Sequence, residues 1–260
     1  MVSEDSYERR ASNWLGLEGR QVLVVGAGAF GEAATRAFLE VGAKVALADI
    51  DADKLARIED DLTTKALQTF RCDVSSRTGC ASLVEEVASM VGIPYVLVHA
   101  VGINKRTPVD EITESEWIEV MRLNTDSCLW LGQLTARKMR QNGGGRIVYF
   151  SSVSGLLAHP GHGAYAASKG ALNQLIRMMA IEWATHAIAV NGVAPGYALT
   201  PLTEEYCNDS RTRKHLLERI PLGRLAVPKD IVGPTLFLAS DRSAYVTGQI
   251  LFIDGGRTLD

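Results

Sequence analysis

Tyr165 and Lys169 stand four residues apart in Tyr165-Ala166-Ala167-Ser168-Lys169, a spacing that sets a phenol and an ammonium on one face of a helix. A phenol works as a base near neutral pH only when its phenolate is stabilised by about 4 kcal/mol, the gap between a pKa of ~10 and one of ~7. A neighbouring ammonium supplies stabilisation of that kind. The pair therefore suits removal of a hydroxyl proton from an alcohol while hydride leaves its carbon, or the reverse step on a ketone. Ser152 lies thirteen residues earlier, at the end of an apolar run, where its hydroxyl can orient a substrate oxygen. Asn124 falls inside a long helical stretch. There an amide that bonds backbone and holds a water extends a proton path from Lys169. Each residue also has a plainer reading: YxxxK recurs by chance on helices, serine caps strand ends, and a mid-helix asparagine can face water. Their joint order behind a glycine-rich turn is what binds them into one site.

That turn is Gly26-Ala27-Gly28-Ala29-Phe30-Gly31, between the apolar run 21–25 and a helix expected from Phe30 to Val41. The first glycine permits a tight turn, the second lets backbone amides approach a pyrophosphate, and the third allows close packing of helix on strand. The helix N-terminus adds partial positive charge. Asp49 follows 23 residues after Gly26, at the end of the next strand, where a carboxylate accepts both hydroxyls of an adenosine ribose. A 2'-phosphate would meet like charge there, and neither Ala27 nor Ala29 neutralises it, so NAD is favoured over NADP. The bland alternatives are a plain βα turn and a helix cap. Asp73 fits either a contact to the adenine edge or a cap on a helix beginning near Ser75.

The elements that must hold these groups are legible as alternating runs. Apolar strands are expected at 21–25, 44–48, 67–71, 95–100, 146–151, 187–193 and 249–254, with helices at 30–41, after Asp51, through the 80s, near 116–140 and near 164–184. Repeated βαβ units give parallel strands with right-handed crossovers. The expected fold is therefore α/β, a single Rossmann-like doubly wound parallel sheet of about seven strands with helices on both faces. A chain of 260 residues fits one such sheet: an N-terminal arm at 1–18, then a catalytic domain at 19–260. The polar stretch 197–222, bracketed by prolines, reads as a flap over the site. With 47% apolar residues and a net charge of -3, the chain has ample core and no basic field for nucleic acid. Cys72, Cys80, Cys128 and Cys207 form no CxxC pair and read as reduced thiols. The N-terminal segment is polar, and no apolar run approaches the ~18 residues of a membrane span, so no membrane partner is expected. These features point to the cytoplasm.

From about Gly19 to Gly256 the sequence resembles the short-chain dehydrogenase/reductase family. The likeness is carried by GAGAFG at 26–31, AD at 48–49, CDV at 72–74, Gly102, Asn124, Ser152, Tyr165 with Lys169, NGVAPG at 191–196, Thr200 and VTGQILFIDGG at 246–256. The resemblance implies a catalytic tetrad of Asn124, Ser152, Tyr165 and Lys169 and an NAD(P)-dependent exchange of secondary alcohol and ketone. It also implies cofactor contacts from Gly26, Gly28, Phe30, Gly31, Asp49, Asp73, Val74, Ala100, Gly102, Tyr165, Lys169, Pro195, Gly196 and Thr200, and association as a homotetramer. Three departures stand out. Val25 replaces the usual threonine in a shorter glycine loop, Glu32 follows Gly31 and is expected to point away from phosphates, and the usual NNAG reads His99-Ala100-Val101-Gly102.

The substrate pocket is expected between Ser152, the loop 153–163 and the flap, with Arg106, His159, His162 and Tyr165 as candidate contacts. His159 and His162 in HPGH invite a metal reading, but the Pro160-Gly161 turn lacks a nearby carboxylate or cysteine, so no metal is expected. Arg106 suits an anionic group such as a carboxylate, or stands as a solvated charge. The expected function is an NAD-dependent oxidoreductase acting on a small-molecule alcohol or ketone, in the polyol or sugar-acid class. The alternatives are an NADP-dependent 3-oxoacyl reductase and a nucleotide-binding scaffold without turnover.

Overall fold

The computed structural model describes residues 13–200, 203 and 209–259. All seven expected strands form: β1 (Gln21–Val25), β2 (Lys44–Asp49), β3 (Leu67–Arg71), β4 (Val96–His99), β5 (Gly145–Phe150), β6 (Ile188–Pro195) and β7 (Ile250–Ile253). They pair in parallel in the order β3-β2-β1-β4-β5-β6-β7. Alternate residues of β1 explain why its sequence is apolar throughout. Leu23 and Val25 join one core with Leu97, Leu131 and Leu172, while Val22 and Val24 join the other with Phe38, Leu55 and Ile231. The order reverses between β1 and β4, and the crevice at such a reversal, beyond the carboxyl ends of the strands, is where open α/β sheets bind ligands.

The helices that cover the sheet are α1 (Ala29–Glu40), α2 (Ala52–Leu62), α3 (Arg77–Met90), α4 (Glu114–Met121), α5 (Ser127–Gln141), α6 (Gly163–Trp183), α7 (Ser210–Leu217) and α8 (Pro228–Ala239). Two of them differ from the sequence reading. The stretch expected as one helix over 116–140 is interrupted by a π-helical turn, Arg122–Asp126, which carries Asn124. Helix α8 was not anticipated, because Gly233 and Pro234 interrupt its pattern. Pro228 at its first turn and Asp230, which accepts a hydrogen bond from Val227 N at 2.8 Å, start it nonetheless.

The N-terminal boundary also shifts. Leu17 is fully buried, Asp241 N donates to Leu15 O at 3.1 Å, and the Arg242 guanidinium lies 5.1 Å from the Trp14 ring centroid. Residues 13–18, expected in the arm, therefore pack on the domain, and residues 1–12 lie outside the described ones. In the flap, α7 folds onto a small apolar cluster of Leu216, Ile220 and Leu225, and residues 201, 202 and 204–208 lie outside the described ones. Cys72, Cys80 and Cys128 are free thiols, pushed by burial to about 11, 12 and 12; Cys207 is not among the described residues. Among the described residues no helix is long and apolar enough to cross a membrane.

Candidate active site

The glycine turn sits at the reversal between β1 and β4. Gly26 has φ +99, and a Cβ there would lie 2.9 Å from both Ala100 C and Val101 N, so only glycine lets the turn rest on the chain leaving β4. A Cβ at Gly31 would overlap Gly26 O, which shows the close packing expected of the third glycine. Gly28 is the N-cap of α1 with no side-chain cap, and a Cβ on it would touch nothing within 4 Å. The amide end of α1 therefore faces open space, as a pyrophosphate requires. Beside it Asp49 accepts from Ala27 N at 2.6 Å and Asp51 N at 3.0 Å, with Lys54 Nζ 3.8 Å away. An open helix N-terminus with an anchored carboxylate at the next strand end fits a dinucleotide.

Glu32 turns away, as expected, pairing with Arg36 at 2.8 Å and Arg57 at 2.6 Å. Burial opposes its charge, yet hydrogen bonds from Arg57 and Arg36 hold its carboxyl below the ordinary value. Phe30 stacks on Phe150 with centroids 5.6 Å apart, and Val74 is buried in the core. Asp73 accepts from Ser75 N at 2.8 Å, while the cap of α3 is Ser76, which accepts from Gly79 N at 3.0 Å. The capping role open to Asp73 in the sequence thus belongs to Ser76.

Lys169 is buried on α6, donates to Phe150 O at 2.7 Å, and sets its ammonium 5.7 Å from the Tyr165 ring centroid. The π turn delivers Asn124 opposite. Its Oδ1 accepts from Ile103 N at 2.8 Å and its Nδ2 donates to Ile103 O at 2.9 Å and to Ser168 Oγ at 3.0 Å. Gly102 lies between the two: a Cβ on it would stand 3.3 Å from Asn124 Oδ1 and 3.4 Å from Lys169 Nζ. Ser152 follows β5, its Oγ accepting from Ser154 N at 3.1 Å. Asn124, Tyr165 and Lys169 are therefore tied through one helix face, and Ser152 stands at the adjacent strand end.

Two supporting residues were not identified from sequence. Ser168 accepts from Asn124 and donates to Tyr165 O at 2.7 Å, which locks the π turn to the helix carrying the tyrosine. His99 fills the place of the missing asparagine support. It is fully buried, with Nε2 2.9 Å from Ser127 Oγ and Nδ1 3.5 Å from Cys128 Sγ. Because Ser127 spends its proton on Leu123 O at 2.6 Å, its oxygen must accept, so His99 carries its proton on Nε2. Burial first, and the Lys169 charge second, push the His99 pKa down to about 3.

On the substrate side, Thr107 N donates to Gly161 O at 2.9 Å, which ties the loop bearing Arg106 to the turn between His159 and His162. The His162 ring meets Tyr165 edge-on at 6.0 Å, lies 5.6 Å from His159, and His159 meets Tyr197 edge-on at 5.7 Å. Among the described residues no three metal-ligating side chains cluster. Pro195 ends β6, Gly196 N donates to Ile253 O at 3.0 Å, and Thr200 Oγ1 lies 3.0 Å from Thr203 Oγ1 at the root of the flap.

The chain matches a family described as enoyl-(acyl carrier protein) reductase over residues 26–258. It is 33% identical over 246 residues to a gluconate 5-dehydrogenase of Gluconobacter oxydans, covering 94% of this chain and 96% of that protein. It is 36% identical to a 3-oxoacyl-acyl-carrier-protein reductase of Thermotoga maritima, covering 92% and 98%. A gluconate 5-dehydrogenase of Burkholderia cenocepacia, solved in complex with NADP and tartrate, superposes with a TM-score of 0.91 at 34% identity, covering 96% and 99%.

Proposed function

Because the chain belongs to the short-chain dehydrogenase/reductase family of oxidoreductases, we propose that it interconverts a secondary alcohol and a ketone on a small sugar acid or polyol, with NAD as the preferred coenzyme. The observation that carries the reading is the fixed group of Tyr165, Lys169 and Asn124 beside an open glycine turn. Bound against that turn, a nicotinamide dinucleotide supplies the hydride acceptor or donor. Gly26, Gly28 and Gly31 would hold its pyrophosphate and Asp49 its adenosine ribose; Ala100, Gly102, Pro195, Gly196 and Thr200 border the remaining crevice. The Tyr165 hydroxyl takes the substrate proton during oxidation and returns it during reduction. Ser152 orients the reacting oxygen. Lys169, fixed by Phe150 O, holds a positive charge beside the tyrosine ring, and Asn124 holds the chain at Ile103 in place.

The sugar-acid part rests on the likeness to gluconate dehydrogenases together with the basic and imidazole groups next to Tyr165. A screen of sugar acids, polyols and 3-oxoacyl thioesters, read by nicotinamide absorbance, tests it. Turnover confined to 3-oxoacyl thioesters would install the second reading, which the Thermotoga maritima relative favours. Tyr165→Phe should lower kcat by about 10²- to 10⁴-fold with dinucleotide binding retained. Undiminished turnover would remove Tyr165 from the mechanism.

A further inference from the structure

The residue after the final glycine pair has a burial that its position near the chain's end does not announce. Arg257 follows Gly255 and Gly256, whose positive φ of 66 and 91 turn the chain back beneath the flap. A Cβ on either would meet Ile220 or Pro221 within 3 Å, so the turn is pressed against flap residues. The outcome is an arginine only 9% exposed whose buried Nε has no hydrogen-bond partner, and no carboxylate among the described residues forms an ion pair with it. A buried charge without a counter-ion is costly, and Arg presents a planar fork that matches an incoming carboxylate.

Its neighbourhood continues the same pattern. The rings of Tyr165, His162, His159 and Tyr197 form a string that starts at the reacting phenol and ends at the flap. His162 Nδ1 and His159 Nε2 are buried and also lack partners, although His159 Nδ1 is 3.4 Å from Ser154 Oγ. Burial, then Arg257 and Arg219, lower the pKa of His159. Burial, then Arg106 and His159, bring His162 down to about 4. Both imidazoles are thus neutral donors at physiological pH, and, with Lys169 committed to Phe150 O at the Tyr165 end, the buried formal charge at the flap end of the string is that of Arg257. One buried positive charge with two neutral donors suits a monoanion better than a dianion.

The geometry points to an anion subsite in which Arg257, His159 and His162 bind the carboxylate of a hydroxy-acid substrate whose alcohol carbon faces Tyr165. This deepens the sugar-acid reading and rests on it. In a sugar acid each C–C bond advances about 1.3 Å, so a carboxylate four or five bonds from the reacting carbon lies about 5–6.5 Å away, a range that includes the spacing from the Tyr165 ring to the His162 ring. A neutral polyol of the same length leaves Arg257 without its charge partner. Arg257 is therefore a specificity residue that selects acids over alditols.

The test compares gluconate with glucitol, the neutral alditol of the same carbon skeleton, binding to the full-length enzyme at constant ionic strength by calorimetry. Wild type should bind gluconate at least tenfold tighter than glucitol. Arg257→Gln should bring the two within about twofold, and Arg257→Lys should recover part of the gap, which also guards against a variant that merely misfolds. No preference in wild type, or a preference that survives in Arg257→Gln, overturns the subsite. Kinetics separate this from the function itself. Arg257-dependent gluconate binding in an enzyme that oxidises no sugar acid refutes the proposed substrate and leaves the subsite standing. Sugar-acid turnover with a KM that Arg257→Gln does not change does the reverse.

Discussion

Replacing His99 with asparagine should flatten the acid limb of the protein's stability profile. The imidazole is fully buried between β4 and α5 and titrates near 3 instead of 6.5, chiefly through burial with the Lys169 charge adding to it. In the unfolded chain it takes its proton near 6.5, so the stability it allows is fully present above that pH and is lost as pH falls from 6.5 towards 3. At about 1.36 kcal/mol per pH unit the loss is roughly 2 kcal/mol at pH 5 and on the order of 5 kcal/mol once pH reaches the folded value. For a domain stable by about 5–15 kcal/mol, that is enough to bring acid unfolding into the range of pH 4. The assay is urea unfolding of wild type and His99→Asn at intervals from pH 7.5 to 4. His159 and His162 titrate in both proteins and cancel in the difference. At pH 7 the variant should be less stable, because it loses the ring packed 6.1 Å from Tyr149 and the bond to Ser127. That deficit should shrink by about 2 kcal/mol by pH 5. A deficit that stays constant within ~0.5 kcal/mol over the whole range refutes the argument that a neutral, buried His99 supports the helix packed on the strand end.

Three further outcomes follow from the geometry. Gly31→Ala should destabilise the fold by several kcal/mol in urea, since its Cβ would strike Gly26 O, whereas Gly28→Ala should leave stability within about 0.5 kcal/mol and weaken dinucleotide binding by roughly tenfold in a fluorescence titration. Asp49→Ser should raise the ratio of NADPH to NADH efficiency at least tenfold, because in the proposed binding mode it removes the carboxylate that a 2'-phosphate would meet. Equal or better use of NADPH by wild type would sink that assignment. Ser168→Ala should cost about 1–3 kcal/mol by leaving Asn124 Nδ2 short of a partner, and should lower kcat more than KM, with dinucleotide affinity unchanged.

The strands and the glycine turn were legible because their signals are local. A buried parallel strand is apolar on both faces, so QVLVV and KVALA can be read without knowing their neighbours, and GxGxxG between strand and helix has one steric meaning. Tyr165 and Lys169 were legible through helical spacing, and their side chains do share one face. Helix α8 was hidden because propensity counts Gly233 and Pro234 against it, while tertiary packing of Ile231 and Leu238 against the sheet decides the matter. The π turn was hidden for a related reason. Nothing in RLNTD marks it, and it exists because Asn124 is held by Ile103 and Ser168, residues 21 and 44 positions away.

The same distinction explains the polar residues that the sequence left unassigned. His99 stands where an asparagine was expected, and its substitution reads as a loss until the chain brings Ser127 and Cys128 over it. The hydroxyl that accepts from His99 donates to Leu123 O, and the Cys128 thiol donates to Asn124 O at 3.3 Å, so strand and helix jointly support the turn that carries Asn124. Asn124 then takes its position from both sides, through the carbonyls at 123 and 124 on one and through Ser168 on the other. A buried amide held by two independent elements tolerates replacement of either partner only when the replacement offers the same donors. A strand-end imidazole protonated on Nε2 meets that condition through Ser127, to which it presents its N–H, while its Nδ1 rests 3.5 Å from the Cys128 sulfur whose hydrogen is given to Asn124 O.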